Sequence, residues 1–332
     1  MKRILVIRLG AIGDIVLATA AIEALARAFP DAAVEFLLKE RFSALLEGHP
    51  HVGRLWLFDE RGRHRGAGGL LSFMRAIQAG RFDLAVDLQG NLRSRLICRC
   101  LRAKKVLRWD KRAWQRRMMV LGKRPAEHGP PVYARYLEAL KPLGIDVAGI
   151  RPRLYPNRAE PPAGLKAPYL AMAPGAHWPA KRWPAGHYAE LAARIADETD
   201  LNIGLIGSED DREAGEKIRR ARPERIANLC GQLGLGQLAS FLAGARAAVT
   251  NDTGPMHLAE AAGVPVLAFF GPTAAGFGFA PWREESRMLA MDLACRPCSL
   301  HGSRSCPKRH HRCLDGITPD VAWKALQGML DG

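Results

Sequence analysis

The stretch Lys2-Arg3-Ile4-Leu5-Val6-Ile7-Arg8, continued by Leu9-Gly10-Ala11-Ile12-Gly13-Asp14, decides the fold. Its first half is a nearly continuous apolar run, as in a parallel strand buried on both faces. The glycines permit a tight turn, after which Ile15, Leu17, Ala18, Ile22, Leu25 and Ala26 recur at helical spacing as far as Pro30. A second strand is predicted around Val34 to Leu38, which completes a βαβ unit. Strand candidates over 83–88 and 106–109 continue the alternation.

Between Arg151 and Pro168 the pattern gives way to Pro152, Pro156, Pro161, Pro162 and Gly164, the composition of a linker. It then restarts, with a strand at Tyr169–Ala173, a helix from about His187 to Glu198 and a strand over 201–206. Further strands are expected over 247–250, 264–270 and 288–291, and Pro319 opens a final helix. A chain of 332 residues exceeds one ordinary core. The expected class is therefore α/β, with two Rossmann-like doubly wound domains at 1–155 and 156–332 facing a central cleft. The final helix would be free to pack back on the first domain. Ligands of such sheets sit beyond the carboxyl ends of the strands, so chemistry is expected there.

Lys and Arg number 49 against 33 Asp and Glu, a formal charge of +16, which calls for an anionic partner. Nucleic acid, an acidic membrane and a phosphorylated substrate all satisfy that sign. No recognised nucleic-acid module is present, so nucleic acid is not expected. No window approaches the ~20 apolar residues of a membrane span, and no signal-peptide cleavage site follows the first strand, so a cytoplasmic protein is expected. The charge concentrates between Arg93 and Arg124, with thirteen Lys or Arg against the single acid Asp110. Leu96, Ile97, Leu101, Trp109, Trp114 and Met118 are interleaved. Arg93, Arg116 and Arg117 are its candidates for gripping an anionic acceptor or the inner membrane surface, the alternative being a solvated basic face.

Three motifs stand at strand ends. In the first, Asp14 either projects a carboxylate able to take a proton from an attacking hydroxyl or caps the following helix, with Gly13 beside it. The second, Pro174-Gly175-Ala176-His177-Trp178-Pro179-Ala180-Lys181-Arg182, places cations after a glycine turn, and Lys181 suits a diphosphate. The third runs Thr250-Asn251-Asp252-Thr253-Gly254-Pro255-Met256-His257-Leu258-Ala259. Pro255 suits a first helical turn and Gly263 a helix stop, so exposed amides with the Thr253 hydroxyl would receive a phosphate. Alternatively, Thr253 caps the helix and His257 is an ordinary first-turn residue.

Taken with Asp87-Leu88-Gln89-Gly90-Asn91-Leu92-Arg93-Ser94, these motifs resemble those of the ADP-heptose:lipopolysaccharide heptosyltransferases, glycosyltransferase family nine, over nearly the whole chain. The resemblance implies a GT-B fold and an inverting transfer from ADP-heptose to a lipid A–Kdo or heptosylated core acceptor, with no metal cofactor for catalysis. It implies that Asp14 is the catalytic base, that Lys181 holds the donor phosphate, and that Asp252, Thr253 and Gly254, with His257 in the same motif, serve the donor. In Gly207-Ser208-Glu209-Asp210-Asp211 the family places an acid on the donor ribose. Spacing favours Asp211, Glu209 stays open, and a helix N-terminal charge effect explains all three acids without a ligand. A nucleotide-sugar epimerase of the same fold is the rival reading, and would need no acceptor.

Seven cysteines without a signal peptide argue against a disulfide framework. Four of them, Cys295, Cys298, Cys306 and Cys313, have the ligand number of a structural zinc or iron–sulfur site. The first pair has chelate spacing and the later gaps do not follow a standard pattern. His301, His310 and His311 are nearby alternatives.

Overall fold

The computed structural model describes residues 1–122, 129–157, 161–162 and 164–331. The chain divides into two compact units, the first of residues 1–111 and 132–155, the second of residues 112–131 and 156–332.

In the first unit, β1 (Arg3–Ile7), α1 (Ile12–Ala28), β2 (Ala33–Lys39), β3 (Arg54–Phe58), α2 (Gly66–Gln78), β4 (Leu84–Asp87), α3 (Leu92–Cys100) and β5 (Lys105–Arg108) follow in order. The strands are all parallel, in the order β3-β2-β1-β4-β5, with Ile7 level with Leu37 on one side and Asp87 on the other. The central position of β1 explains its unbroken apolar run, since Ile4 to Ile7 have no exposed surface. Residues 12–28 are helical because alanines and leucines dominate them, and Ile15 to Ala21 are all buried. Next come α4 (Ala113–Val120) and then α5 (Val132–Glu138), which packs on α1.

The second unit comprises β6 (Tyr169–Ala173), α6 (Ala185–Glu198), β7 (Asn202–Leu205), α7 (Arg212–Arg219), β8 (Ile226–Asn228), α8 (Leu235–Gly244), β9 (Ala248–Asn251), α9 (Gly254–Ala261), β10 (Val266–Phe270), β11 (Arg287–Ala290), α10 (Arg312–Asp315) and α11 (Pro319–Leu330). Its parallel order, β8-β7-β6-β9-β10-β11, reverses direction between β6 and β9, the switch point where ligands of such sheets bind. Trp183 and Phe269 stack within its core with ring centroids 4.1 Å apart, and Tyr188 meets both edge-on.

One boundary differs from the sequence reading. The segment carrying Arg116 and Arg117 lies with the second unit although it falls inside 1–155. Gly129 shows the closeness of that association, since a side-chain carbon there would come within 2.7 Å of the Gly276 carbonyl oxygen. Lys123 and Arg124 lie outside the described residues. The final helix, α11, packs on α6, β10 and β11, and buries Trp323 and Leu326 in the core of its own unit. Among the described residues, no helix is long and apolar enough to cross a membrane.

Candidate active site

The turn from β1 to α1 needs glycine at position 10, where φ is +156° and an added side-chain carbon would lie 2.8 Å from the Phe42 ring. It delivers Asp14 to the first turn of α1, with Gly13 half-buried beside it. The capping reading holds in part, because Asp14 Oδ2 accepts a 3.3 Å hydrogen bond from the Ala11 amide. The closer partner is Arg8, whose Nη2 is 2.5 Å from the same oxygen. Arg8 is buried, donates through Nη1 to the Leu88 carbonyl at 2.6 Å, and lies 5.9 Å and 5.8 Å from the Trp109 and Tyr136 ring centroids. Burial opposes its charge, but Asp14, Tyr136 and Asp87 outweigh that penalty and hold its pKa above the usual arginine value. The guanidinium thereby fixes the orientation of the Asp14 carboxylate. The sequence reading gave Arg8 no role, although a cation ending an otherwise apolar central strand was the visible signal.

Beside this turn is a cavity of about 230 Å³ whose lining includes Gly10, Ala11, Lys39, Arg41, Asn91 and Arg93. Lys39 and Arg41 share Glu60 Oε1, at 3.0 Å and 3.5 Å, and the Arg93 guanidinium lies 5.4 Å from the Phe58 ring centroid. Asn91 and Ser94 cap α3 reciprocally, and the fully buried Asp87 accepts from the Gln89 and Gly90 amides and the Ser94 hydroxyl. The Asp87–Ser94 motif therefore builds the wall from which Arg93 projects. Ile97, Leu101 and Trp109, expected as part of a contact face, are core residues, whereas Leu96 and Trp114 are exposed.

In the second unit, Lys181 closes a short 3-10 turn (Pro179–Lys181), and its Nζ lies 2.6 Å from Asp252 Oδ2. The Thr273 hydroxyl donates to the same oxygen at 2.7 Å. Two sequence motifs separated by about seventy residues thus meet in one ion pair. The junction is held by Asn251, whose Oδ1 accepts from the Trp183 amide at 2.9 Å and whose Nδ2 donates to the Pro174 carbonyl at 2.9 Å. Thr253 does not cap α9: its hydroxyl donates backwards to the Asn251 carbonyl at 3.2 Å and accepts from no α9 amide. The Gly254 and Met256 amides, on either side of Pro255, which has none, lead the first turn of α9 without a side-chain cap, which suits a phosphate.

His257 is buried on α9 and stacks on Trp282, with centroids 5.8 Å apart and planes 7° from parallel. Glu260, one turn on, was missed from sequence. Its buried carboxylate accepts from the Trp282 and Arg283 amides and the Ser286 hydroxyl, so it pins the segment that carries Trp282. Burial pushes its pKa up to about 7 against those hydrogen bonds.

Asp211 is held within its own turn. It is buried, its Oδ2 accepts from the Ser208 amide and hydroxyl, and its Oδ1 lies 3.4 Å from Arg182. Glu209 is exposed and engaged by Arg212 in two hydrogen bonds, of 2.6 Å and 2.7 Å.

Among the described residues, no group of three or more His, Cys, Asp or Glu is placed to hold a metal ion. Cys295 Sγ instead lies 3.9 Å from His310 Nε2, and burial raises the Cys313 thiol to about 11. The loop is also held by hydrogen bonds from the Arg296 guanidinium and from the Cys298 and Ser299 amides to backbone carbonyls.

Two Rossmann-like units, one with an oriented carboxylate at a strand end and the other with a cation and free helix amides, characterise the GT-B glycosyltransferases. The family model described as glycosyltransferase family 9 (heptosyltransferase) matches residues 70–308, and the chain belongs to that family. It is 30% identical over 320 residues to lipopolysaccharide heptosyltransferase 1 of Pseudomonas aeruginosa, covering 89% of this chain and 86% of that one. The solved structure of E. coli ADP-heptose lipopolysaccharide heptosyltransferase II matches with a TM-score of 0.76 and 26% identity, over 99% of this chain and 98% of that one. A family 9 glycosyltransferase from Veillonella parvula superposes with a TM-score of 0.80 at 23% identity, over 99% and 97% of the two chains.

Proposed function

We propose that this glycosyltransferase moves a heptose from ADP-heptose to the inner core of a lipopolysaccharide precursor, a lipid A–Kdo or heptosylated acceptor, with inversion and without a catalytic metal. The observation that carries the donor side is the Lys181–Asp252 pair beside the uncapped N-terminus of α9. The Pseudomonas relative, a lipopolysaccharide heptosyltransferase, and the E. coli one, an ADP-heptose lipopolysaccharide heptosyltransferase, support the choice of sugar and nucleotide.

In this scheme Asp14, oriented by Arg8, removes the proton from the acceptor hydroxyl as its oxygen attacks the anomeric carbon. The bond from that carbon to the diphosphate breaks, and ADP leaves with the electron pair. Lys181, the α9 amides at Gly254 and the Thr253 hydroxyl stabilise the departing charge, the task a divalent ion performs in other enzymes. Asp252 sets Lys181 in place, His257 lines the same helix, and Asp211 is the acid assigned to the ribose. The cavity at Lys39, Arg41 and Arg93 receives an anionic group of the acceptor, and Arg116 and Arg117 on α4 are the candidates for contact with an anionic surface. Work at the inner face of an anionic membrane follows from that charge and from an amphiphilic acceptor. A screen of nucleotide sugars against core acceptors, read by mass spectrometry, tests the assignment. Strict need for an acceptor supports transfer, whereas isomerised donor without acceptor supports an epimerase.

A further inference from the structure

The cysteine-bearing loop, residues 295–306, has no place in the scheme above, yet it holds both sides of the Lys181–Asp252 pair. On one side the Arg296 guanidinium donates to the carbonyls of Gly271 at 2.5 Å, Thr273 at 3.0 Å, and Met291. The Cys298 and Ser299 amides donate to the Pro272 carbonyl at 3.0 Å and 3.2 Å. Together these bonds fix Gly271-Pro272-Thr273, and the Thr273 hydroxyl is the group that holds Asp252. On the other side the Ala180 amide, immediately before Lys181, donates to the Ser303 carbonyl at 3.1 Å. Gly302 has φ +112°, and a side-chain carbon there would lie 2.7 Å from the Trp178 side chain, so the loop and the Lys181 turn are in direct contact. Ser299 closes the bend by accepting from the Gly302 amide at 2.9 Å and donating to its carbonyl at 2.8 Å.

A guanidinium that directs each of its nitrogens at a backbone carbonyl fixes a loop rather than recognising an anion. We propose that the loop is a buttress that sets the spacing of Lys181 and Asp252, with Arg296 as its principal positioning residue. This rests on the donor reading of that pair. Removing Arg296 frees the Thr273 segment, so Asp252 and Lys181 lose their common geometry before any nucleotide binds. The consequence falls on donor affinity and leaves acceptor binding unchanged.

The test is ADP affinity by calorimetry, well below the unfolding temperature, for Arg296→Ala, Thr273→Val and Gly302→Ala, with Arg296→Lys as the conservative variant. The last two alanine-scale changes carry the test if Arg296→Ala fails to fold. Each disruptive variant is expected to weaken ADP by about tenfold, the loss of one oriented charge-assisted contact, with partial recovery in Arg296→Lys. A double-mutant cycle separates positioning from plain destabilisation: in a Lys181→Ala background, Arg296→Ala should add less than about twofold. ADP affinity within about twofold of the parent in Arg296→Ala and Thr273→Val, or additive losses in the cycle, overturns the buttress alone. Unchanged ADP affinity in Lys181→Ala by itself removes the donor reading, and this proposal with it.

Discussion

Replacing Lys181 with alanine strikes the contact on which the donor side depends, and its two consequences can be separated. The pair is largely withdrawn from solvent, with side chains 12% and 8% exposed, so the substitution leaves Asp252 as a buried carboxylate supported by the Thr273 hydroxyl. Orphaning one member of a fully buried pair costs roughly 3–5 kcal/mol. Residual solvent access and the remaining hydrogen bond bring the expected loss to about 2 kcal/mol. For a unit of this size that is a fall in Tm of roughly 4–8 °C. Independently, loss of a charge-assisted contact to a diphosphate, about 1.5–3 kcal/mol, should weaken ADP by about one to two decades. Adding Asp252→Asn removes the orphaned charge, so the double variant should regain much of the lost stability while ADP binding stays weak. Thermal unfolding and calorimetric titration with ADP read the two effects. ADP affinity within about twofold of the parent would refute the phosphate role of Lys181, and a double variant no more stable than Lys181→Ala would refute the orphaned-charge reasoning.

Asp14→Asn keeps the size of the side chain and removes proton acceptance, so turnover should fall by about two to four decades with ADP affinity unchanged, as single-turnover kinetics would show. Near-parental turnover would return Asp14 to its capping role. Glu260 gives a stability signature: its pKa is raised in the folded state from the ordinary 4.5 to about 7, so the folded protein retains a proton that the unfolded chain releases. Stability should therefore decline as pH rises across that window and level off above it, and Glu260→Gln should flatten the decline. Parallel Tm profiles from pH 5 to 8 would contradict this account. Arg93→Glu, at the mouth of the basic cavity, should weaken sedimentation with vesicles of anionic acceptor, most at low salt, and leave ADP titrations unaltered. Equal losses for both ligands would remove the cavity from the acceptor side.

The central strands were legible because burial on both faces makes their residues uniformly apolar, as at Ile4–Ile7 and Tyr169–Ala173. Two of the edge strands were not: the strand at Arg54–Phe58 has mixed burial and begins with an exposed arginine, and Ile226–Asn228 is too short to show a period. The site motifs were readable where a local turn fixes them, as with Asp14 after Gly10 or Lys181 after Trp178. Arg8 and Glu260 escaped because their importance comes from partners distant in sequence, Leu88 in one case and Trp282 in the other. Long-range contacts also explain the boundary at 112–131. Composition marks a proline-rich linker but does not show that α4 leaves the unit its neighbours build, or that α11 stays with α6. The carbonyl contacts of Arg296 could not be read from the cysteine spacing, because they depend on where Gly271, Thr273 and Met291 lie in the fold.

Heptose transfer itself is tested most directly by incubating ADP-heptose with a lipid A–Kdo acceptor and with a heptosylated core acceptor, and following products by mass spectrometry in the parent and in Asp14→Asn. The account predicts an acceptor heavier by a single heptose, ADP released in equal amount, no change in donor alone, and loss of product in the Asp14 variant. Isomerised sugar formed without acceptor, or undiminished product from Asp14→Asn, would contradict it.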